Sequence, residues 1–150
     1  MDRKPAKKRR LQPHRVLTRT FDPELTPGAR NAVRVCLNIQ PHERVTVVTD
    51  RACEEIAASL VHEIEAVGAP YEAFVLEEEA PRPLTGLPAT VAAAMEQSQV
   101  SIFAVQVQPN ELTSRMELTG IVNRRRMRHA HMVNITSQIM REGMRADYLK

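Results

Sequence analysis

The sequence predicts one α/β domain: a three-layer, Rossmann-like or flavodoxin-like fold with a mostly parallel sheet of about four strands between helices. The first observation is that short β-branched, apolar runs alternate with helical apolar patterns along the chain. The second is that 150 residues, 43% of them hydrophobic, suffice for one domain with a real core. The third is that aromatic residues make up 3% and Trp is absent, so the core must be aliphatic, which suits helices packed on a sheet.

The first half of the chain predicts a helix, a strand and a second helix in turn. The first helix is expected to open at residues 26–28, Thr-Pro-Gly, and to end by Pro41. Residues 44–49 are β-branched and nearly continuously apolar, which is typical of a strand buried on both faces of a parallel sheet. Apolar residues then recur at helical spacing over residues 52–67, and Gly68 is expected to cap that helix.

The second half predicts three more strands, at residues 73–76, 100–107 and 132–135. A loop is expected over residues 81–88, which are rich in Pro and Gly. Thr136 or Ser137 can cap the last helix. The helices of this half are marked by apolar or small residues at helical spacing: Val91, Ala92 and Met95; Leu118, Ile121 and Val122; Ile139, Met140, Gly143 and Met144.

The positive charge of the chain is concentrated at its amino terminus. The formal net charge is +3, but eight of the 21 Lys and Arg residues lie in the first 20 positions, against one of the 18 acids. We therefore expect residues 1–20 to form a basic disordered tail and residues 21–150 a mildly acidic body. Residues 3–19 could bind nucleic-acid phosphates, although such blocks are more often solvated and no interleaved aromatic side chains support base stacking.

Cysteine spacing and hydropathy indicate a cytoplasmic chain. Cys36 and Cys53 form no CxxC motif, and two cysteines in a domain of this size are typical of buried thiols in a reducing compartment. No stretch approaches 18 consecutive apolar residues, and no apolar signal-peptide segment follows the charged amino terminus. We expect a protein that neither spans a membrane nor is exported.

The carboxyl ends of the predicted strands indicate where a ligand would bind, because open α/β sheets bind ligands beyond these ends. Asp50, residues 77–79, residues 106–110 with Asn110, and Thr136 hold such positions. The Asp50 carboxylate could face a ligand, but capping the N–H groups of the following helix is the commoner role for an Asp at this place. The pattern locates a cleft without naming its ligand.

Two other groups of residues are candidate ligand sites. His129 and His131 are two apart at the start of the fourth predicted strand, so both could point to one side, as two metal ligands would. A catalytic zinc needs three protein ligands and no third is evident in the sequence, so packing or helix-end contacts are expected instead. Residues 124–128 include four arginines, among them Arg124 and Arg126, that could receive a carboxylate or phosphate. A solvated helix end explains them more simply, and residues 77–79 are likewise expected to form a solvated acidic edge.

The sequence lacks the motifs of a self-sufficient enzyme. With five glycines it has no GxGxxG and no GxxxxGK[ST] segment after a strand, so nucleotide binding has no motif. It also has no GxSxG elbow and no HExxH helix. We therefore expect no cofactor and no complete catalytic site in this chain itself.

Four segments, taken in order, resemble a known family. They are ARNAVRVCLNIQPHERVTVVTD at residues 29–50, EIAASLVHEIEAVGAP at residues 55–70, RPLTGLP at residues 82–88, and RMRHAHMVNITSQIMREGMRADY at residues 126–148. The set resembles the amino-terminal domain of the aminopeptidase T, or thermophilic-type leucyl aminopeptidase, family of metallopeptidases. The resemblance covers most of residues 28–148, and His42 departs from it because the family usually has Gly in that turn.

The resemblance implies that the metals lie outside this chain. Members of the family are two-domain enzymes whose paired divalent metals, zinc, cobalt or manganese, are held by the carboxyl-terminal domain, and none of those ligands can be placed here. It thus implies a non-catalytic domain that shapes the cleft and a homodimer, with peptide as a substrate of the complete protein only.

Two alternatives remain open. The same scaffold could belong to a related metal-dependent dioxygenase, because relatives of the family include a ring-cleaving dioxygenase of pyridine catabolism. It could also be a stand-alone α/β binding module whose basic tail contacts nucleic acid or a partner protein.

Overall fold

Residues 19–143, which the computed structural model describes, form a sheet of four parallel strands covered by helices on both faces. The strands are β1 (Val45–Thr49), β2 (Tyr71–Val75), β3 (Val100–Val105) and β4 (Arg128–Val133), in the spatial order β2-β1-β3-β4. This confirms the predicted α/β fold with a parallel four-stranded sheet. The expected basic tail lies almost entirely outside the described residues, as does Met144.

Helical segments connect the strands and form the two outer layers. None of them, within the part of the chain that is described, is long and apolar enough to cross a membrane. Their bounds are α1 (Thr26–Arg30), which follows a 3-10 turn (Pro23–Leu25) and continues into a π-helical segment (Asn31–Cys36); α2 (Glu54–Val67); α3 (Leu76–Glu79); α4 (Ala89–Met95); α5 (Leu112–Arg125); and α6 (Ser137–Glu142).

The strand β1 shows why the centre of the sheet is apolar on both sides. Successive side chains of a strand point to opposite faces. Val45 and Val47 join the core under α1, α2 and α6, while Val48 joins the core under α4 and α5. All five residues of β1 are buried, because β2 and β3 flank the strand and helices cover both faces. The continuous β-branched run seen in the sequence is thus a requirement of its central position.

The edge strands are longer toward their amino ends than the sequence predicted. β4 was expected at residues 132–135 but runs over Arg128–Val133, so His129 and His131 lie within the strand and not at its start. β2 likewise begins at Tyr71 rather than at Ala73. A strand at the sheet edge keeps part of its surface in water, so it tolerates polar residues that a search for continuous apolar runs passes over.

The first helix also differs from its prediction. The α-helix begins at Thr26 as predicted, but a 3-10 turn precedes it, which Asp22 caps by accepting a hydrogen bond of 2.9 Å from the Glu24 N–H. Its last turns are π-helical, with the Leu37 N–H donating to the Ala32 carbonyl. This wider spacing rotates the following residues, and Cys36 is exposed. The expectation of two buried thiols is therefore wrong for Cys36 and confirmed for Cys53.

Two glycines on helices provide a matched test of this description. Gly68 ends α2 at a φ of 85°, where alanine is strained, whereas a Cβ at Gly120 within α5 would meet no atom within 4 Å. We expect Gly120→Ala to raise the free energy of unfolding by about 0.5–1 kcal/mol and Gly68→Ala to lower it by about 1 kcal/mol. Urea denaturation of both variants measures these shifts. Shifts of the same sign would contradict the different roles given to the two glycines.

Candidate functional site

The crevice at the carboxyl edge of the sheet lies between β1 and β3. The chain leaves β1 toward β2 on one side and later returns to β3 on the other, so the topology switches direction between these two strands. Such a switch point is where open α/β folds bind their ligands. Asp50 directly follows β1 and Gln106 directly follows β3, so both residues border this crevice.

The crevice is filled by the side chain of Arg82. Its Nη1 donates to Asp50 Oδ2 at 2.9 Å and to Glu77 Oε2 at 3.2 Å. Its Nη2 donates to Glu111 Oε1 at 2.6 Å and to the Gln106 carbonyl at 3.0 Å, and its Nε donates to Glu111 Oε2 at 3.0 Å. A guanidinium has five N–H donors, and here they meet five acceptors. We call Arg82, Asp50, Glu77 and Glu111 the Arg82 cluster.

The carboxylates of the Arg82 cluster are tied to the backbone as well. Asp50 accepts from the Cys53 N–H at 2.9 Å and from the Gln106 N–H at 2.8 Å, and Glu111 accepts from the Leu84 N–H at 2.8 Å. The side chains of Arg82, Asp50 and Glu111 are 6%, 0% and 5% exposed. The cluster therefore joins the starts of two helices and a loop in a hydrogen-bonded network.

The ion pairs keep the charged forms in place despite burial. Hydrogen bonds to Glu111, and then to Asp50 and Glu77, outweigh the effect of burial and raise the pKa of Arg82 above its usual value. Burial raises the pKa of Glu111, but the hydrogen bonds from Arg82 and from the Leu84 backbone outweigh it and the pKa lies below its usual range. Burial and the Asp50 carboxylate raise the pKa of the Cys53 thiol to about 12, so this thiol is not a nucleophile at neutral pH.

The residues predicted for the cleft are distributed along the carboxyl edge. Asp50 caps the turn that leads into α2 and also binds Arg82. Its carboxylate is therefore both a helix cap and a residue of the crevice. Glu77 belongs to the helical turn α3 and joins the cluster. Asn110 is exposed in the loop before α5 with a φ of 67°. Thr136 caps α6 by accepting from the Ile139 N–H at 3.1 Å.

Arg124 and Arg126 lie at the opposite, amino-terminal edge of the sheet. Helix α5 starts at the carboxyl edge and runs back, so its last residues lie near the start of β3. Arg124 forms an ion pair with Glu96, and Arg126 occupies the left-handed position after the helix with a φ of 52°. The structure therefore does not bring these arginines together with Asp50.

His129 and His131 point to one side of β4, as their spacing predicted. His129 Nδ1 lies 2.6 Å from Ser101 Oγ, and His129 Nε2 lies 3.0 Å from His131 Nδ1. The His131 ring stacks on Phe103 with centroids 5.1 Å apart. Burial, and then His131, lower the pKa of His129 to about 4, and burial followed by the Arg115 charge lowers the pKa of His131.

Sequence reasoning passed over Arg82 and Glu111, which complete the site. Arg82 stands between two prolines in a predicted loop, and the bond between Arg82 and Pro83 is cis. The only sequence feature that could have indicated Arg82 is its position between two prolines, shortly after the three glutamates at residues 77–79. That signal does not specify burial, because the partner acids Asp50 and Glu111 are 32 and 29 positions away along the chain.

Comparisons with protein-family models, with curated proteins and with solved structures gave no match for this chain. The family resemblance therefore depends on the four sequence segments alone. Among residues 19–143, no group of three or more His, Cys, Asp or Glu side chains is arranged to hold a metal ion.

Replacing Arg82 tests how much the cluster contributes to the free energy of unfolding. In Arg82→Met three carboxylates lose their shared counter-charge, one of them fully buried, and we expect a loss of about 3–5 kcal/mol in the free energy of unfolding. Arg124→Met is the matched control, because Arg124 is 60% exposed in its pair with Glu96 and such pairs contribute about 0–1 kcal/mol. Chemical denaturation of both variants measures the difference. Similar losses in the two would show that Arg82 is not the central contact described here.

The lowered pKa of Glu111 predicts that the folded chain loses stability in acid. Its pKa is lowered in the folded chain from the usual 4.5, so the unfolded state binds the proton more readily. The stabilisation is complete above that usual pKa and is lost as the pH falls through the folded value. We expect the unfolding free energies of the unsubstituted chain and of Glu111→Gln to differ most near about pH 7, and to converge from about pH 5 to pH 3. A gap that stays constant over this range would contradict an ionised Glu111.

Proposed function

We propose that this domain is the non-catalytic, amino-terminal domain of an aminopeptidase-like metallopeptidase, which removes amino-terminal residues from peptides as a complete protein. The observation that carries the proposal is the Arg82 cluster. It fills with a protein side chain the crevice where an α/β domain would otherwise hold its own ligand. A domain whose switch point is closed in this way is suited to support a catalytic site on another domain.

The segment RPLTGLP of the resemblance has a structural explanation in this fold. Arg82 enters the crevice, and Leu84 is buried in the core under α4 and α5. The Leu87 N–H donates to Glu117 Oε2 at 3.2 Å, and a Cβ on Gly86 would lie 3.3 Å from Glu117 Oε1. The segment thus anchors a loop across the carboxyl ends of the strands. Its residues fix the shape of that edge, as a cleft-forming domain requires.

The earlier segments of the resemblance also serve packing. Residues 55–70 form most of α2, the Gly68 cap and the turn into β2, and they bury Ala57, Leu60 and Ile64 under the sheet. Residues 29–50 form the end of α1, its π-helical continuation and β1. The two segments therefore supply much of the core on one face of the sheet.

The acids at the crevice do not fit a paired-metal centre. The carboxylates of Asp50, Glu77 and Glu111 already share Arg82, whose positive charge opposes a metal cation at the same place. We therefore place the metals of the complete protein on its carboxyl-terminal domain, where they would polarise the peptide carbonyl and activate water. The part of this domain is to shape the cleft, and we propose that the complete protein is a homodimer.

Hydrolysis of leucine amide tests the proposal. We expect the 150-residue chain to show no turnover with zinc, cobalt or manganese, because its described acids are engaged. Joined in one polypeptide to the metal-binding domain of an aminopeptidase T family member, it should support metal-dependent turnover. Substrate profiling of the complete protein separates peptide cleavage from the related dioxygenase chemistry. Turnover by the 150-residue chain alone, or a folded joined protein that binds metal without cleaving, would refute the proposal.

A further inference from the structure

The edge strand β4 carries two imidazoles whose nitrogens converge. His129 and His131 stand opposite Ser101 and Phe103 of β3 in the sheet register, so both side chains are on the face covered by α4 and α5. His129 Nε2 and His131 Nδ1 are 3.0 Å apart and share a hydrogen bond. His131 is exposed and His129 is half-buried, so a small ion can reach the pair from solvent.

The separation of the two nitrogens fits adjacent ligands of one metal ion. With metal–nitrogen bonds of about 2.0–2.1 Å, nitrogens 3.0 Å apart subtend an angle of about 90° at the metal. That is the angle between neighbouring ligands in the square-planar or tetragonal geometry of Cu²⁺ and Ni²⁺. A tetrahedral zinc ion would require the nitrogens to lie about 3.4 Å apart.

Ser101 and Phe103 restrain the orientation of the two rings. Ser101 Oγ lies 2.6 Å from His129 Nδ1, and when this nitrogen donates a hydrogen bond to Ser101, His129 Nε2 carries the lone pair that accepts from the His131 Nδ1–H. A metal ion would replace that hydrogen bond, with His131 carrying its proton on Nε2 and offering the Nδ1 lone pair to the metal. Hydrogen bonds like the one between His129 and Ser101 fix the tautomer of metal-binding histidines. The stacking on Phe103, with 11° between the ring planes, restrains His131 in the same way.

The charge of the pair also suits a cation. Burial lowers the pKa of both histidines, which favours the neutral form of each ring, and a neutral imidazole binds a metal through its lone pair. One opposing group is close: the Arg115 charge acts on His131, and the Arg115 Nε has no hydrogen-bond partner among the described residues. The affinity for a metal ion is therefore raised by the two imidazole ligands and lowered by the positive charge of Arg115.

We propose that His129, through Nε2, and His131, through Nδ1, form a two-histidine binding site for a divalent transition-metal ion of the Cu²⁺ or Ni²⁺ class, with water completing its coordination. Copper should bind most tightly, following the general order of affinities for nitrogen ligands. This site is separate from the zinc, cobalt or manganese chemistry placed on another domain, and it stands or falls independently of that function.

Calorimetric titration of the 150-residue chain with Cu²⁺ in a non-coordinating buffer tests the site. We expect one equivalent to bind, and the affinity to fall at least about 10-fold in His129→Asn and in His131→Asn, because each removes one of two protein ligands. His42→Asn is the matched control and should change the affinity less than about 2-fold. Arg115→Gln should tighten binding by about 3-fold to 10-fold, because it removes the opposing charge.

A measurement on the unsubstituted protein guards against variants that fail to fold. Substoichiometric Cu²⁺ should broaden the ring resonances of His129 and His131 before those of His14, His42 and His62, and the electron paramagnetic resonance signal should show coupling to two imidazole nitrogens. First broadening at another histidine would overturn the proposal. An affinity unchanged in a folded variant lacking both histidines would overturn it as well.

Discussion

The carboxyl edge of the sheet depends on the Arg82 side chain, which fills the crevice between the ends of β1 and β3. Burying a guanidinium and carboxylates costs several kcal/mol of hydration per ion, which about offsets their mutual attraction unless the remaining donors are also satisfied. Here the five donors of Arg82 meet five acceptors, and Asp50 and Glu111 accept further backbone N–H groups. The network is therefore best understood as a device that fixes one arrangement of the carboxyl edge. It holds the loop after α3, the start of α2 and the start of α5 in register.

That arrangement has a functional consequence, because it occupies the place at which folds of this class bind ligands. A ligand could enter the crevice only by displacing Arg82, which would leave the fully buried Asp50 without its counter-charge. The rigid edge is instead suited to present a surface to a second domain. The proposed role in an aminopeptidase-like protein and the filled crevice thus agree with each other.

The parts of the fold that the sequence predicts are those set by local chemistry. β1 follows from its β-branched run, and α2 follows from its apolar period and from Gly68, whose φ of 85° is the signature of a helix cap. The parts that were missed depend on distant contacts. Cys36 is exposed because a π-helical turn shifts the helix face, and no residue type announces that turn. Arg82 is buried because acids 29 and 32 positions away along the chain surround it, which no local pattern contains.

The misplaced start of β4 and the proposed metal site have the same physical origin. A central strand such as β1 is buried on both faces, so any polar side chain there loses its hydration and needs a hydrogen-bond partner, as Thr46 has in Ser98 and Thr49 has in the Ala104 carbonyl. β4 is at the edge, so one of its faces can carry His129 and His131 two residues apart while Met132, on the other face, remains in the core. The polar alternation that concealed the strand is therefore what places the two imidazoles side by side. Ser101, on the neighbouring buried strand, lies 2.6 Å from His129 Nδ1 and can accept its proton, which would leave Nε2 as the proposed metal ligand.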